Sequence, residues 1–196
     1  FEAPHECYVL IELTSPRAND DLRAEIETVL ENAFEEDIVV DAVFAESEVQ
    51  AQALWKIREE IPEAQTREGG SIKHDVSVPV SKTVEFIAEA SARVEAHLPG
   101  IRVCAFGHIG DGNIHFNLTQ PVDADKEAFI AQWEEFNRIV HDFVVELGGS
   151  ISAEHGIGLV KKKELAHYAD ETNLKLMRTI KQALDPDNLM NPGKIF

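Results

Sequence analysis

Two clusters of side chains in this chain have the types and spacing to do chemistry. The first is Phe106-Gly107-His108-Ile109-Gly110-Asp111-Gly112-Asn113-Ile114-His115-Phe116-Asn117, in which two imidazoles stand seven residues apart across a turn. From Asn113 onward the run alternates. Asn113, His115 and Asn117 share one strand face, and Ile114, Phe116 and Leu118 share the other. A polar strand face beside a glycine-rich turn suits a site better than a core. A hairpin lays its strands about 5 Å apart, so His108 and His115 could meet at one metal ion. The structural alternative is a pair of hydrogen-bonded polar residues at a loop. Gly107, Gly110 and Gly112 permit close backbone approach, and Asp111 could orient a histidine from behind.

The second cluster, Gly148-Gly149-Ser150-Ile151-Ser152-Ala153-Glu154-His155-Gly156-Ile157-Gly158, sets an acid beside an imidazole in a loop of small residues. Neighbouring side chains on an extended segment point apart. Glu154 could then ligate a metal while His155 faces an adjoining site. The alternative is a loop leading into a helix, with both side chains solvated. A third stretch offers cations: Arg58 after Trp55, and Lys73 in Ile72-Lys73-His74-Asp75-Val76-Ser77-Val78-Pro79. A guanidinium suits bidentate carboxylate binding and an ammonium acts as a point charge. Either could equally be a solvated surface cation.

Together the two clusters resemble the C-terminal domain of FAD-linked oxidases that act on D-2-hydroxy acids. That family includes D-lactate dehydrogenases, the glycolate oxidase D subunit and D-2-hydroxyglutarate dehydrogenases. Its members carry a Gly-His-x-Gly-Asp-Gly-Asn-x-His run and a Ser-x-Glu-His-Gly-x-Gly run. The resemblance implies that His108, His115 and Glu154 hold a divalent ion, commonly zinc. It makes His155 the general base, Asn117 a substrate contact, and Arg58 and Lys73 the groups that grip substrate carboxylates. One departure stands out. Relatives specific for D-2-hydroxyglutarate have a threonine four residues after the arginine, where this chain has Pro62. The ending, from Leu184 to Phe196, resembles the family's terminal segment. The likeness covers most of the chain from Trp55 onward, and the first fifty residues match only in pattern.

Periodicity supplies the elements that must position these residues. Apolar runs at Cys7 to Leu13 and Ile38 to Phe44 read as strands, with a helix starting at Asp20 between them. Ser47 caps a helix that runs to about Glu60. Ile72 to Val78 alternates, with His74 interrupting its apolar side. A helix from about Lys82 to His97 leads to strands Ile101–Phe106 and Asn113–Leu118. A long helix follows, with Phe129, Trp133, Phe136, Val140, Phe143 and Leu147 at helical spacing, ended by Gly148-Gly149. A last helix spans about Asn173 to Leu184. The expected fold class is α+β, a mostly antiparallel sheet with helices packed on one face in a ferredoxin-like duplicated arrangement.

The 196 residues suit one domain, and the 44% hydrophobic content is enough for a core. A formal charge of −18 repels nucleic acid and anionic membranes, so neither is an expected partner. It would also repel an anionic substrate unless local cations or a metal reverse the sign. Cys7 and Cys104 make no disulfide framework, which makes a reducing compartment the default, the cytoplasm or a mitochondrial matrix. There is no transmembrane run and no signal-peptide pattern. A homo-oligomer is compatible with the sequence. The start at Phe1 reads as a fragment of a longer polypeptide, and no flavin-binding signature occurs. The resemblance implies as partners a small D-2-hydroxy acid and an N-terminal FAD domain that holds the flavin. The function it implies is the substrate-binding, metal-bearing domain of an FAD-dependent dehydrogenase. The rivals are a flavin-independent metal hydrolase and a metal-stabilised interaction module.

Overall fold

The computed structural model describes residues 4–196. The chain divides into two units, Phe1–Ala64 and Gln65–Phe196.

In the first unit, helix α1 (Leu22–Glu35) is capped by Asp21, whose side chain accepts from the Ala24 N–H. Helix α2 (Glu48–Glu59) is capped by Ser47, which accepts from the Gln50 N–H. Both caps satisfy first-turn donors that the helix itself cannot. The runs Cys7–Leu13 and Ile38–Phe44 are not strands, a correction to their apolar reading. Tyr8, Val9, Ile11, Ile38, Val40 and Val43 are exposed. Apolar, β-branched composition suits a pleated surface, but a strand also needs a partner. Neither run has one among the described residues.

The second unit follows a short helix α3 (Ile61–Thr66) that crosses the boundary. Its elements are β1 (Ser71–Ser77), α4 (Thr83–His97), β2 (Arg102–His108), β3 (Asn113–Thr119), α5 (Lys126–Ala131), α6 (Trp133–Glu146), α7 (Lys162–Tyr168) and α8 (Glu171–Leu184). The strands form one antiparallel sheet in the order β1-β3-β2. The fold is α+β as the pattern indicates. The second β-α-β passage that a duplication needs has no sheet among the described residues, because the two early runs do not pair.

The register sorts the sheet into two chemistries. On one face Ile72, His74 and Val76 lie beside Leu118, Phe116 and Ile114. Phe86 and Val94 from α4 and Phe136, Val140, Phe143 and Val144 from α6 join them in one buried cluster. Phe86 meets Phe116 edge-on with ring centroids 5.4 Å apart. The expected long helix is broken at Gln132 into α5 and α6, and its aromatic stripe is core. The opposite face aligns Lys73 with Asn117, Asp75 with His115 and Ser77 with Asn113. From the other side Phe106 pairs with His115 and His108 with Asn113.

Behind the sheet lies a buried polar group. His74 Nδ1–H donates to the Phe116 carbonyl at 2.9 Å. His141 Nδ1–H donates to Glu164 at 2.8 Å, and Arg138 donates to the other oxygen of that carboxylate at 3.0 Å. Burial, reinforced by the neighbouring His141, pushes His74 down to about 3. His74 is therefore a structural imidazole, uncharged at neutral pH; burial also lowers His141 against the opposing pull of Glu164.

Candidate active site and metal centre

The turn between β2 and β3 delivers the two histidines to one face. Ile109–Asp111 forms a single 3-10 turn, and Gly112 closes it at φ 72°. That left-handed backbone is unstrained only for glycine. A Cβ on Gly112 would also stand 1.9 Å from the Val78 carbonyl oxygen. The turn is pinned from outside, because the Val78 N–H donates to the Gly112 carbonyl at 3.1 Å. Asp111 does not orient a histidine; its carboxylate accepts from the Asn113 N–H at 3.1 Å.

The loop after α6 brings the second cluster alongside β1. Ser77 and Ser150 exchange backbone hydrogen bonds of 3.0 and 2.8 Å. Beyond that bridge the loop wraps around the carboxylate of Asp75, which accepts from the backbone N–H groups of Ala153 (3.2 Å), Glu154 (3.0 Å) and His155 (2.9 Å). Burial alone would raise the Asp75 pKa, but the N–H groups of His155 and Glu154 outweigh it and hold the carboxyl below its ordinary range. Lys161 fastens the same join from the other side, donating to the carbonyls of Asp75 (3.1 Å) and Ile151 (2.6 Å). Burial lowers the Lys161 ammonium despite the carboxylates of Asp75 and Glu164.

Wrapping corrects one expectation. The loop is bent at residues 153–155 rather than extended, so Glu154 and His155 do not point apart. Donor atoms of Asp75, His115, Glu154 and His155 all lie within 4.8 Å of one another. His115 Nε2 is 3.6 Å from Glu154 Oε2, and His108 Nε2 is 3.9 Å from Glu154 Oε1. The Asn113 side-chain amide donates to Glu154 Oε1. The His115 and His155 rings stack 5.8 Å apart, and Phe106 packs on His115 at 5.0 Å.

This donor set fits a divalent ion. Three donors bound tetrahedrally to zinc stand roughly 3.4 Å apart, given bond lengths of about 2.1 Å. The Glu154-to-imidazole separations of 3.6 Å (His115) and 3.9 Å (His108) are near that, but the group whose donors all converge is Asp75, His115, Glu154 and His155, and His108 lies outside it. Two imidazoles and a carboxylate are also the mixture that zinc and its neighbours accept while leaving positions open. His108, Glu154 and His155 are exposed, whereas His115 and Asp75 are sheltered by the sheet.

The candidate substrate groups fall in different places. Lys73 and Asn117 are register partners on the site face of the sheet. Lys73 is exposed; Asn117 is buried, and its amide donates to Gln65 at 2.7 Å. Arg58 lies near the end of α2 in the first unit. Sequence reasoning missed Asp75, Gln65 and Lys161. The one signal for Asp75 was its place on the polar side of its strand, opposite a face that carries a histidine.

With that geometry in view, comparison with known proteins places the chain in a class. Residues 1–195 match the family described as FAD linked oxidases, C-terminal domain, and the chain belongs to that family. Its relatives include a D-2-hydroxyglutarate dehydrogenase of Stutzerimonas stutzeri, 39% identical over 100% of this chain and 42% of the relative. The mitochondrial D-2-hydroxyglutarate dehydrogenase of Rattus norvegicus is 34% identical over 95% of this chain and 34% of its own length. A putative mitochondrial D-lactate dehydrogenase of Schizosaccharomyces pombe is 34% identical over 99% of this chain and 38% of its own length. The chain thus spans well under half of these relatives. No helix among the described residues is long and apolar enough to cross a membrane.

Proposed function

We propose that this chain is the substrate-binding, metal-bearing domain of an FAD-dependent dehydrogenase that oxidises a D-2-hydroxy acid to the 2-oxo acid. The observation that carries the reading is the facing of His115 and His108 onto the single carboxylate of Glu154, with His155 stacked alongside. The family match and the names of the relatives support the redox chemistry over the hydrolase and the interaction module.

In this reading His108, His115 and Glu154 hold a divalent ion, zinc by the chemistry of the donors. Such an ion, when bound, supplies Lewis-acid polarisation that lowers the pKa of a substrate hydroxyl. His155 takes the hydroxyl proton, a role that its exposed ring suits. The flavin of an N-terminal FAD domain would supply the acceptor for the C2 hydride. Lys73 is the candidate cation for a substrate carboxylate in the second unit and Arg58 the candidate in the first; either would offset the repulsion of a chain carrying −18. Asn117 orients the substrate from β3, two residues beyond His115 on the same face.

The substrate class is a D-2-hydroxy acid: D-2-hydroxyglutarate, D-lactate or a glycolate-like acid. Pro62, one turn beyond Arg58, brings no hydroxyl to a distal carboxylate. We place the protein in the cytoplasm, or in the mitochondrial matrix of a eukaryotic source. The test is flavin reduction in the full-length flavoprotein by a panel of D-2-hydroxy acids. Rapid bleaching by at least one D acid and not by its L isomer is expected. A flavin that none of them reduces overturns the reading.

A further inference from the structure

We propose that Asp75 is the positioning residue of the metal centre, fixing the loop that carries Glu154 and His155 and selecting which ring nitrogen of His115 faces the ion. The proposal rests on the reading of His108, His115 and Glu154 as ligands and deepens it.

Three observations carry it. The Asp75 side chain is only 3% exposed, yet it stands on the site face of the edge strand β1. Its carboxylate collects three consecutive backbone N–H groups, those of Ala153, Glu154 and His155. Charge-assisted bonds of this kind are the strong ones, and three of them on successive amides leave the segment little freedom. The direction in which Glu154 and His155 leave the backbone is therefore set by a side chain on a different element.

The third observation is sidedness. Asp75 Oδ1 lies 3.9 Å from His115 Nδ1, and Glu154 Oε2 lies 3.6 Å from His115 Nε2. The ring stands between two carboxylates, one facing each nitrogen. An anion on the Nδ1 side favours the proton there, which leaves the Nε2 lone pair for a metal. Asp75 Oδ2 stands 3.9 Å from His155 Nδ1, on the corresponding side of the second ring. An anion on that side favours the His155 proton on Nδ1 as well, which would leave Nε2 as the acceptor for a substrate proton. Three loop amides converge on Asp75 Oδ2, which commits that oxygen to the loop. Asp75 is thus assigned a positioning duty, although its donors lie within 4.8 Å of those of His115, Glu154 and His155.

The experiment is zinc affinity by chelator competition in the full-length protein, for wild type and for Asp75→Asn, Glu154→Gln and His115→Ala. Histidine-labelled protein is used in parallel to read the ring-nitrogen shifts of His115. Asp75→Asn should weaken zinc binding by about 10–100-fold, the usual effect of losing a carboxylate behind a histidine ligand. Glu154→Gln and His115→Ala should weaken it more. Wild-type His115 should show its proton on Nδ1, and Asp75→Asn should reduce that preference. Unchanged affinity in Asp75→Asn, with Glu154→Gln impaired, overturns the positioning role and leaves the ligand reading standing. A loss in Asp75→Asn equal to that in His115→Ala makes Asp75 a ligand and also overturns it. A wild type that binds no zinc overturns the ligand reading and this proposal together. Should Asp75→Asn fail to fold, the wild-type spectrum decides, since a proton on Nε2 of His115 contradicts the assignment.

Discussion

Glu154 Oε2 faces His115 Nε2 at 3.6 Å, across the space between a loop and the central strand of the sheet. The contact is meaningful because neither partner belongs to the element that carries the other, so two independent anchors must agree on one point. If that point is a metal position, Glu154→Gln and His108→Ala should both lower bound zinc from ~1 ion per chain and remove activity in parallel. Elemental analysis of the purified variants checks it. Full zinc content in both, with activity lost, would give these side chains some other role.

His155 is expected to act on the proton rather than on the ion. His155→Ala should cut flavin reduction by about two to four orders of magnitude, the usual share of a general base. Zinc content should stay near that of the wild type. The bent loop makes this test sharper than the sequence alone would, since the His155 donor lies within 4.8 Å of those of Asp75, His115 and Glu154. A variant that loses zinc but recovers turnover when zinc is added back would make His155 a ligand.

Gly112 is expected to tolerate no side chain. In Gly112→Ala the methyl would press on the Val78 carbonyl at 1.9 Å, and the backbone would sit at φ 72°. Destabilisation of more than about 1 kcal/mol is expected from backbone incompatibility alone. Because the same turn spaces His108 from His115, zinc affinity should fall as well. Thermal melts and chelator competition on the same sample test the coupling, and a stable variant with normal affinity would break it.

Stability should fall with acid through the histidine behind the sheet. His74 is pushed down by burial to about 3, while in the unfolded chain it titrates near 6.5. Between those values the unfolded state binds one more proton than the folded state, so stability rises with pH. The contribution is complete above about 6.5 and lost progressively below it, at up to ~1.4 kcal/mol per pH unit. Urea melts at about pH 7 and about pH 5 should show the loss, and His74→Leu should flatten this part of the slope. His141, also lowered by burial, works in the same direction and should leave some slope behind. An unchanged slope in His74→Leu would show that His74 does not titrate in this way.

Much of the second unit was legible because each segment's local signal agreed with its setting. Alternation found β1 and β3, whose polar positions the register pairs, and β2 was found as the apolar run that flanks the turn. Ser47 signalled its helix by its own capping chemistry. The failures share a physical cause. Cys7–Leu13 and Ile38–Phe44 have strand composition, but hydrogen-bond partners are a property of the whole sheet and not of the run. The break at Gln132 left the apolar spacing of the long helix undisturbed, so periodicity could not register it. Asp75 was hidden because its partners are backbone amides near position 154, and an amide N–H carries no sequence signature. The histidines and Glu154 were visible as residue types, whereas the carboxylate that arranges them was visible only in space.

The strand order β1-β3-β2 has a consequence for how such a site would fill. His115 rides on the one strand whose backbone is bonded along both edges, and such amides open last to solvent hydrogen exchange. His108 ends an outer strand and is exposed, whereas Glu154 leaves a segment that Asp75 holds by three backbone amides. The donors therefore differ in stiffness. An arriving ion would meet the two fixed donors first and draw in His108 last, so the slow exchange of β3 should extend outward to residues 108–112 once the ion is held.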